Sequence, residues 1–155
     1  MMMWATVAAF CGSFLAMEFI AWAAHRFLMH GPLWVLHRSH HQPSGSGAQP
    51  NDLFAVLFAS IAIALFATGA AAADPRLWWA GAGVTFYGAV YALVHDGVIH
   101  GRFGARLQSA RGPLKRIVQA HRLHHARRSR ENCVSFGLLL PGNVKVLARR
   151  LKARP

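Results

Sequence analysis

The feature of the sequence that most restricts its fold is an apolar stretch of membrane-spanning length. Residues 53–73 form a run of 21 residues without a charged side chain. As a helix, a run of this length extends about 31 Å, which matches the hydrocarbon thickness of a bilayer. A second uncharged run, residues 77–94, follows after the tight polar turn Asp74-Pro75-Arg76. Two such runs with so short a connection predict a transmembrane hairpin.

A third apolar stretch lies at the start of the chain. Residues 2–24 contain Glu18 as their only charged residue, and no Lys or Arg precedes Arg26. The stretch therefore lacks the basic start of a signal peptide and is predicted to be a retained helix. The alternative for the hairpin is two buried helices of a soluble core, but neither run has a polar face. We predict an all-α fold, an integral membrane helical bundle in one domain of residues 1–155.

The distribution of charge predicts the orientation of this bundle. Lys and Arg number 17 against 5 Asp and Glu, and Arg76 alone among the 17 lies in the hairpin turn. The positive-inside rule places the hairpin turn outside the cytoplasm, and residues 25–52 and 95–142 inside it. This topology accounts for most of the net charge of +12, so no nucleic-acid partner is expected, although the basic tail leaves nucleic-acid binding as a minor alternative.

The basic tail, residues 143–155, is predicted to contain an amphipathic helix that lies on the membrane surface. Basic surface that remains after the membrane topology is satisfied can hold anionic lipid or attract an acidic protein partner.

The ten histidines lie in four clusters that repeat one order of motifs. An H-x4-H pair is followed by an H-x2-H-H triplet in the first half of the chain, and the same two motifs recur in the second half. His25 and His95 each stand where a predicted span ends, so the topology brings all four clusters to one face of the membrane. The clusters are His25 and His30; His37, His40 and His41; His95 and His100; and His121, His124 and His125.

Helix geometry and the number of imidazoles predict a metal site. Residues at i, i+3 and i+4 share one side of a helix, so each triplet presents three rings together. The two rings of an H-x4-H pair are about 140° apart on an unbroken α-helix, so the chain must loosen or turn within that motif. Ten rings exceed the roughly six positions of one octahedral ion and match two ions, for which imidazole alone allows Zn, Cu, Fe or Ni. We predict a histidine-rich di-metal cap beneath the bundle.

Four carboxylates are candidates for supporting roles. Asp52, Asp96 and Glu131 lie near the clusters and are candidates to orient imidazole N–H groups, with helix capping or pairing to arginine as the alternative. Glu18 precedes His25 by about two helical turns and is predicted to face a polar cavity in the bundle, because a carboxylate facing lipid would be costly.

Several parts of the sequence carry a resemblance to a known family. They are the four histidine clusters, the entry to the second span Asn51-Asp52-Leu53, the segment His95-Asp96-Gly97-Val98-Ile99-His100, the segment His121-Arg122-Leu123-His124-His125-Ala126, and Asn132-Cys133-Val134-Ser135-Phe136-Gly137. With these segments the chain resembles the bacterial β-carotene hydroxylases of the membrane fatty-acid hydroxylase and sterol desaturase superfamily, over about residues 17–142. The H-D-G-x-x-H and C-V-S-F-G sequences point to the carotenoid branch.

The resemblance implies a non-haem di-iron monooxygenase in a bacterial inner membrane. All ten histidines would hold the two Fe ions, although Zn or another divalent ion could occupy a purified sample. O2 and two electrons from a ferredoxin-type donor would serve to hydroxylate C3 of β-ionone rings, giving β-cryptoxanthin and zeaxanthin from β-carotene, and ketolated carotenoids are further candidate substrates. We assign the lining of the substrate cavity to Phe54, Phe58, Tyr87 and Tyr91, for which bundle packing is the alternative.

Two other functions are weighed against this one. A fatty-acyl or sterol hydroxylase or desaturase, or a carotenoid ketolase, would keep the metal chemistry and change the substrate. A membrane metal-binding or transport protein would have no catalysis, but transport favours ligands spread across the depth of the bilayer, whereas these histidines lie at one face. The sequence leaves the oligomeric state open.

Overall fold

The computed structural model describes residues 2–43, 47–103 and 110–153. Within these residues the chain is helical and contains no strand, which confirms the predicted all-α class. Parts of the predicted extramembrane regions (44–46 and 104–109) and the end of the predicted tail (154–155) lie outside the described residues. The α-helices are α1 (Met2–Ala23), α2 (Trp34–His41), α3 (Leu53–Ala71), α4 (Pro75–Tyr91), α5 (Gly112–His124) and α6 (Val144–Lys152).

Three of these helices are long and apolar enough to cross a membrane. With their short extensions they cover Met2–Met29, Pro50–Ala71 and Pro75–Ile99. Large apolar side chains lie on the outside of the bundle, and Trp4, Phe19 and Ile63 are 71%, 67% and 66% exposed. A soluble protein rarely exposes apolar surface of this extent, so the three helices fit a lipid environment rather than a soluble core.

Helix α4 lies between α1 and α3 and packs on both of them. Gly81 of α4 lies against the backbone of Ala62 in α3, and Gly83 lies against Phe10 and Ser13 of α1. In a bilayer the hydrophobic effect does not drive helices together, because lipid tails are as apolar as the helix surface. Small residues favour association there because they let the helices pack closely. The buried core of the bundle is formed by Met17, Ala62, Val84 and Tyr87.

The turn between α3 and α4 is fixed by a helix cap. Asp74 precedes α4, and its carboxylate accepts a hydrogen bond from the backbone N–H of Arg76 at 2.9 Å. Pro75 occupies the first turn of α4, where its missing N–H costs nothing. The short polar turn therefore closes the predicted hairpin.

Both α1 and α4 continue into π-helical segments, Ala24–Met29 and Ala92–Ile99. Each segment contains one H-x4-H pair. The backbone N–H of His30 donates to the carbonyl of His25, and that of His100 donates to the carbonyl of His95, both at 3.0 Å. The chain thus loosens within the motif as expected, and it does so by widening the helix rather than by ending it.

Helix α6 packs part of its apolar face on α5. Leu147 is buried with Ala120 of α5 and Val134, and Val144 and Leu151 pack around them. These apolar side chains of α6 contact α5, and the location of the helix at the membrane surface stays a prediction. Between α5 and α6, residues 127–140 form an irregular segment that we call the strap.

The close crossing of α1 and α4 predicts sensitivity to a single methyl group. A Cβ at position 83 would overlap Ser13 Oγ and the carbonyl of Phe10, so Gly83→Ala is expected to lower the free energy of unfolding by about 1–3 kcal/mol. Gly12→Ala is the matched control, since no heavy atom lies within 4 Å of a Cβ there. Thermal unfolding of both variants in detergent checks this, and equal stabilities would contradict the packing.

Candidate metal centre

The histidine side chains converge at the end of the bundle opposite the hairpin turn, in two adjoining groups. The first group is His25, His30, His37, His41 and His124, and the second is His40, His95, His100 and His121. Within each group the potential ligand nitrogens lie within 4.8 Å of one another. His125 adjoins the second group, with its Nε2 3.0 Å from Nε2 of His40. The structure therefore brings together all ten histidines that the sequence singled out.

The two groups are built in the same way, and each takes one histidine from the other half of the chain. The first group has both rings of its H-x4-H pair and the outer rings of its own triplet, His37 and His41, and receives His124 from α5. The second group has the corresponding His95, His100 and His121, with His125 beside them, and receives His40 from α2. Each middle histidine of a triplet thus crosses to the opposite group.

The π-helical segments explain how an H-x4-H pair can serve one group. In an α-helix the two rings would diverge, whereas a π-helix aligns residues five apart because its hydrogen bonds run from i to i+5. The ring centroids of His25 and His30 are 5.1 Å apart, and those of His95 and His100 are 4.6 Å apart. The local widening of both spans therefore turns each pair towards a common centre.

The strap supplies most of the contacts that orient the first group. Backbone carbonyls of the strap accept hydrogen bonds from Nδ1 of four histidines: Phe136 from His25 at 2.8 Å, Arg130 from His30 at 2.9 Å, Arg127 from His41 at 3.0 Å, and Val134 from His124 at 3.0 Å. The fifth ring, His37, has its Nδ1 2.7 Å from Oδ1 of Asn51. Every ring of the first group is therefore held through Nδ1 by an oxygen atom.

These contacts fix the tautomer of each ring. An oxygen acceptor requires Nδ1 to carry the proton, and a neutral imidazole then has only a lone pair on Nε2. The Nε2 atoms nevertheless face one another: His25 and His37 at 3.1 Å, His30 and His124 at 3.2 Å, and His41 and His124 at 3.1 Å. Lone pairs at this separation repel unless a cation lies among them, so the first group fits a metal-binding site.

The second group follows a similar pattern. Nδ1 of His95 donates to Oδ1 of Asp96 at 2.8 Å, which leaves Nε2 of His95 as an acceptor. Nε2 of His100 lies 3.0 Å from Nε2 of His121. Asp96 thus has the geometry expected of a carboxylate that orients a ligand imidazole.

Burial keeps these rings neutral. Three of the rings lie outside the spans, and burial is the main cause of their lowered pKa values. The pKa is about 3 for His37, about 4 for His41 and about 2 for His125. Neighbouring histidines lower these pKa values further. A metal binds the neutral form of imidazole, so the rings are in the ligand form at neutral pH.

The other predicted carboxylates have different contacts. Asp52 is paired with Arg102, with Oδ1 2.6 Å from Nη1, and it caps the backbone N–H of Gln49. The Glu131 side chain is 70% exposed and lies 3.6 Å from Arg130. Glu18 is buried and accepts hydrogen bonds from Tyr87 and from the strap.

Sequence reasoning missed Asn51 and the carbonyl groups of the strap as contacts of the histidines. Asn51 precedes Asp52, which was the predicted contact of a histidine. Asn51 itself was named only as part of the segment that carries the family resemblance. The strap acts through its backbone, so its side chains carry no signal of this role.

An apolar cavity of about 570 Å³ leads from the bundle to the histidines. It is lined from α3 by Phe54 and Phe58, from α4 by Tyr87 and Tyr91, and at its inner end by histidines of both groups, including His25, His37, His40, His95 and His121. The four aromatic residues that were assigned to a substrate cavity thus line one cavity. Tyr87 is also part of the buried core of the bundle.

Comparison of the sequence with known proteins identifies its family. A profile of the family described as fatty acid hydroxylase matches residues 10–141, which include all ten histidines. The chain belongs to the fatty acid hydroxylase family. No solved structure matches the chain.

Within this family, the similar relatives have names that refer to carotenoids. A β-carotene hydroxylase of Pseudescherichia vulneris is 49% identical over 92% of this chain and 82% of its own length. A β-carotene hydroxylase of Pantoea ananas is 45% identical over 90% of this chain and 79% of its own length. The chloroplastic β-carotene 3-hydroxylase 1 of Arabidopsis thaliana is 38% identical over 89% of this chain and 45% of its own length.

The contact between Asn51 and His37 predicts a specific loss of metal affinity. Asn51→Ala removes the acceptor that fixes the tautomer of His37, and metal affinity is expected to fall by about 10-fold to 100-fold. Asp52→Asn is the matched neighbour, because Asp52 contacts Arg102 rather than a histidine, and it is expected to change affinity far less. Competition with a chelator measures both, and equal losses would contradict the assigned contact.

Proposed function

We propose that this chain is a β-carotene 3-hydroxylase, which introduces a hydroxyl group at C3 of β-ionone rings. Its products from β-carotene would be β-cryptoxanthin and then zeaxanthin, and ketolated carotenoids are further candidate substrates. The observation that carries the proposal is the apolar cavity that ends on the histidine groups. Membership of the hydroxylase family and the names of the relatives support it.

We assign the two histidine groups to two Fe ions. The first ion would be held by His25, His30, His37, His41 and His124, and the second by His40, His95, His100, His121 and His125. The donor set is imidazole nitrogen alone, which suits iron among other transition metals. When bound, the iron supplies the redox chemistry that activates O2, and redox-inert zinc would not serve.

The reaction balances as a monooxygenation. A C–H bond at C3 breaks and a C–O bond forms with one oxygen atom of O2. The second oxygen atom leaves as water after taking two electrons and two protons. A ferredoxin-type donor is the proposed source of the electrons. The protein's residues hold the ring at the histidine end of the cavity and exclude lipid and water from the reacting carbon.

The cavity offers a route from the bilayer to the site. It lies where α1 and α3 pack on opposite sides of α4, and its lining includes the exposed residues Ala59, Ile63, Thr85 and Gly88 on the spans. A carotenoid dissolved in lipid can therefore enter sideways, ring first, without crossing water. The apolar lining fits the hydrocarbon ring, and the histidines of the metal sites lie at its inner end.

The orientation and the electron donor complete the proposal. The histidine end carries most of the basic residues, so the positive-inside rule favours the cytoplasmic side of a bacterial inner membrane. Exposed cations on α5 and α6, among them Lys115, Arg122 and Arg149, are available to an acidic reductant.

Pigment analysis tests the activity. Bacterial cells that accumulate β-carotene and express the chain are expected to form β-cryptoxanthin and zeaxanthin. Single replacement of His37, His41, His121 or His125 by Ala is expected to abolish these products and to reduce bound iron, because each removes a ligand. His124→Ala should act on the first group although it lies on α5. Absence of 3-hydroxylated pigment with iron and reductant supplied, or full activity in two of the variants, would contradict the proposal.

The route to the site predicts an effect of side-chain size. Ala59 of α3 lines the cavity, and Ala59→Phe is expected to raise KM or abolish turnover while iron content stays unchanged. Ala64→Phe is the matched control, since Ala64 is exposed on the same helix and does not line the cavity. If Ala64→Phe impaired turnover as much as Ala59→Phe, the effect would arise from the helix rather than from the cavity.

A further inference from the structure

Glu18 lies within the first span, and its buried carboxylate accepts four hydrogen bonds. Its Oε1 accepts the backbone N–H groups of Leu138, Leu139 and Leu140 at 2.9, 2.9 and 3.1 Å. Its Oε2 accepts the hydroxyl of Tyr87 from α4 at 2.8 Å. Four donors satisfy a charge that would otherwise be costly at this depth, so Glu18 joins α1, α4 and the end of the strap.

The carboxylate anchors the part of the strap that contacts the first histidine group. Leu138 follows Phe136 by two residues, and the carbonyl of Phe136 accepts the hydrogen bond from Nδ1 of His25. Val134, whose carbonyl orients His124, precedes Phe136 by two residues. The strap is irregular and has no helix or sheet of its own to hold these carbonyl groups in place.

The backbone at Gly137 also shows how closely the strap is held. A Cβ at this position would lie 3.0 Å from Oε1 of Glu18. The carboxylate is fixed by its four donors, so it could move away only by lengthening hydrogen bonds. The strap therefore passes so close to Glu18 that a side chain larger than that of glycine at position 137 would press on the carboxylate.

We propose that Glu18 is a positioning residue for the first metal site. It acts through the strap, by holding the carbonyl groups that orient His25 and His124, and it contacts no histidine. The second group depends on it less, since His95 of that group is oriented by Asp96. The inference rests on the proposed function, because it assumes that the first group binds iron.

The test is the release of iron from purified protein in detergent. Wild-type protein from iron-supplemented cells is mixed with a ferrous chelator, and the release is followed over time. In Glu18→Ala, one of the two ions is expected to leave about 10-fold faster, while the other keeps its wild-type rate. Mössbauer spectra of protein labelled with ⁵⁷Fe should show a change in one iron signal and not in the other.

Two further variants keep the test decisive if Glu18→Ala does not fold. Gly137→Ala presses on the carboxylate and is expected to accelerate the release of the same ion, and Glu18→Gln keeps an acceptor oxygen and should have a smaller effect. Gly142→Ala is the matched control two residues beyond the strap, because a Cβ there makes only ordinary contact with Leu147 at 3.7 Å, and it should release iron as the wild type does.

The outcomes separate this inference from the proposed function. Wild-type release rates and spectra in the folded Glu18 and Gly137 variants would overturn the inference, as would equal acceleration of both ions. Wild-type protein that holds two irons but forms no hydroxylated carotenoid would overturn the proposed activity and leave the inference standing. Wild-type protein with fewer than two irons would overturn both.

Discussion

The metal centre depends on which nitrogen of each imidazole carries the proton. In the first group, each of the five Nδ1 atoms faces an oxygen atom, and each Nε2 is thereby left with a lone pair. A free imidazole can exchange tautomers and rotate, whereas these rings can do neither without losing the hydrogen bond at Nδ1. The arrangement of fixed oxygen acceptors around the rings therefore creates the donor set.

Most of those acceptors belong to the backbone of the strap, so the fold around the metal centre matters as much as the ligands. Arg127, Arg130, Val134 and Phe136 contribute carbonyl groups within one short irregular segment. Val134 in the middle of the strap packs with Ala120 of α5 and Leu147 of α6, and Glu18 in the first span accepts the backbone N–H of Leu138 near its end. The strap thus connects the helical bundle to the histidine cap through direct contacts.

The position of the centre suits a substrate that never leaves the bilayer. Helices α1 and α3 pack on opposite sides of α4, and residues of all three helices line an apolar cavity that ends on the histidines. In the proposed function the substrate enters from the lipid side, and the exposed basic residues of α5 and α6 are available to a soluble reductant.

Several features of this arrangement could be predicted from the types and spacing of the residues. The charge-free length of residues 53–73 and 77–94 requires a helical hairpin, since lipid offers no partner for an unpaired backbone. The spacing of His37, His40 and His41 places three rings on one side of a helix. The apolar face of α6 was also evident, but its partner was not, because a membrane surface and a stripe on α5 satisfy it equally well.

The sequence by itself determined that this chain forms helices long and apolar enough to span a membrane and gathers imidazoles at one end, because these properties follow from local composition and from helical period. Only the tertiary structure decided how the histidines are shared, with His40 and His124 each crossing to the group of the other half. It also decided which oxygen holds each ring. Three of these contacts join residues 86 to 111 positions apart. Four of the five acceptors are backbone carbonyl groups, which are the same in every residue, so a pattern of side chains does not reveal them.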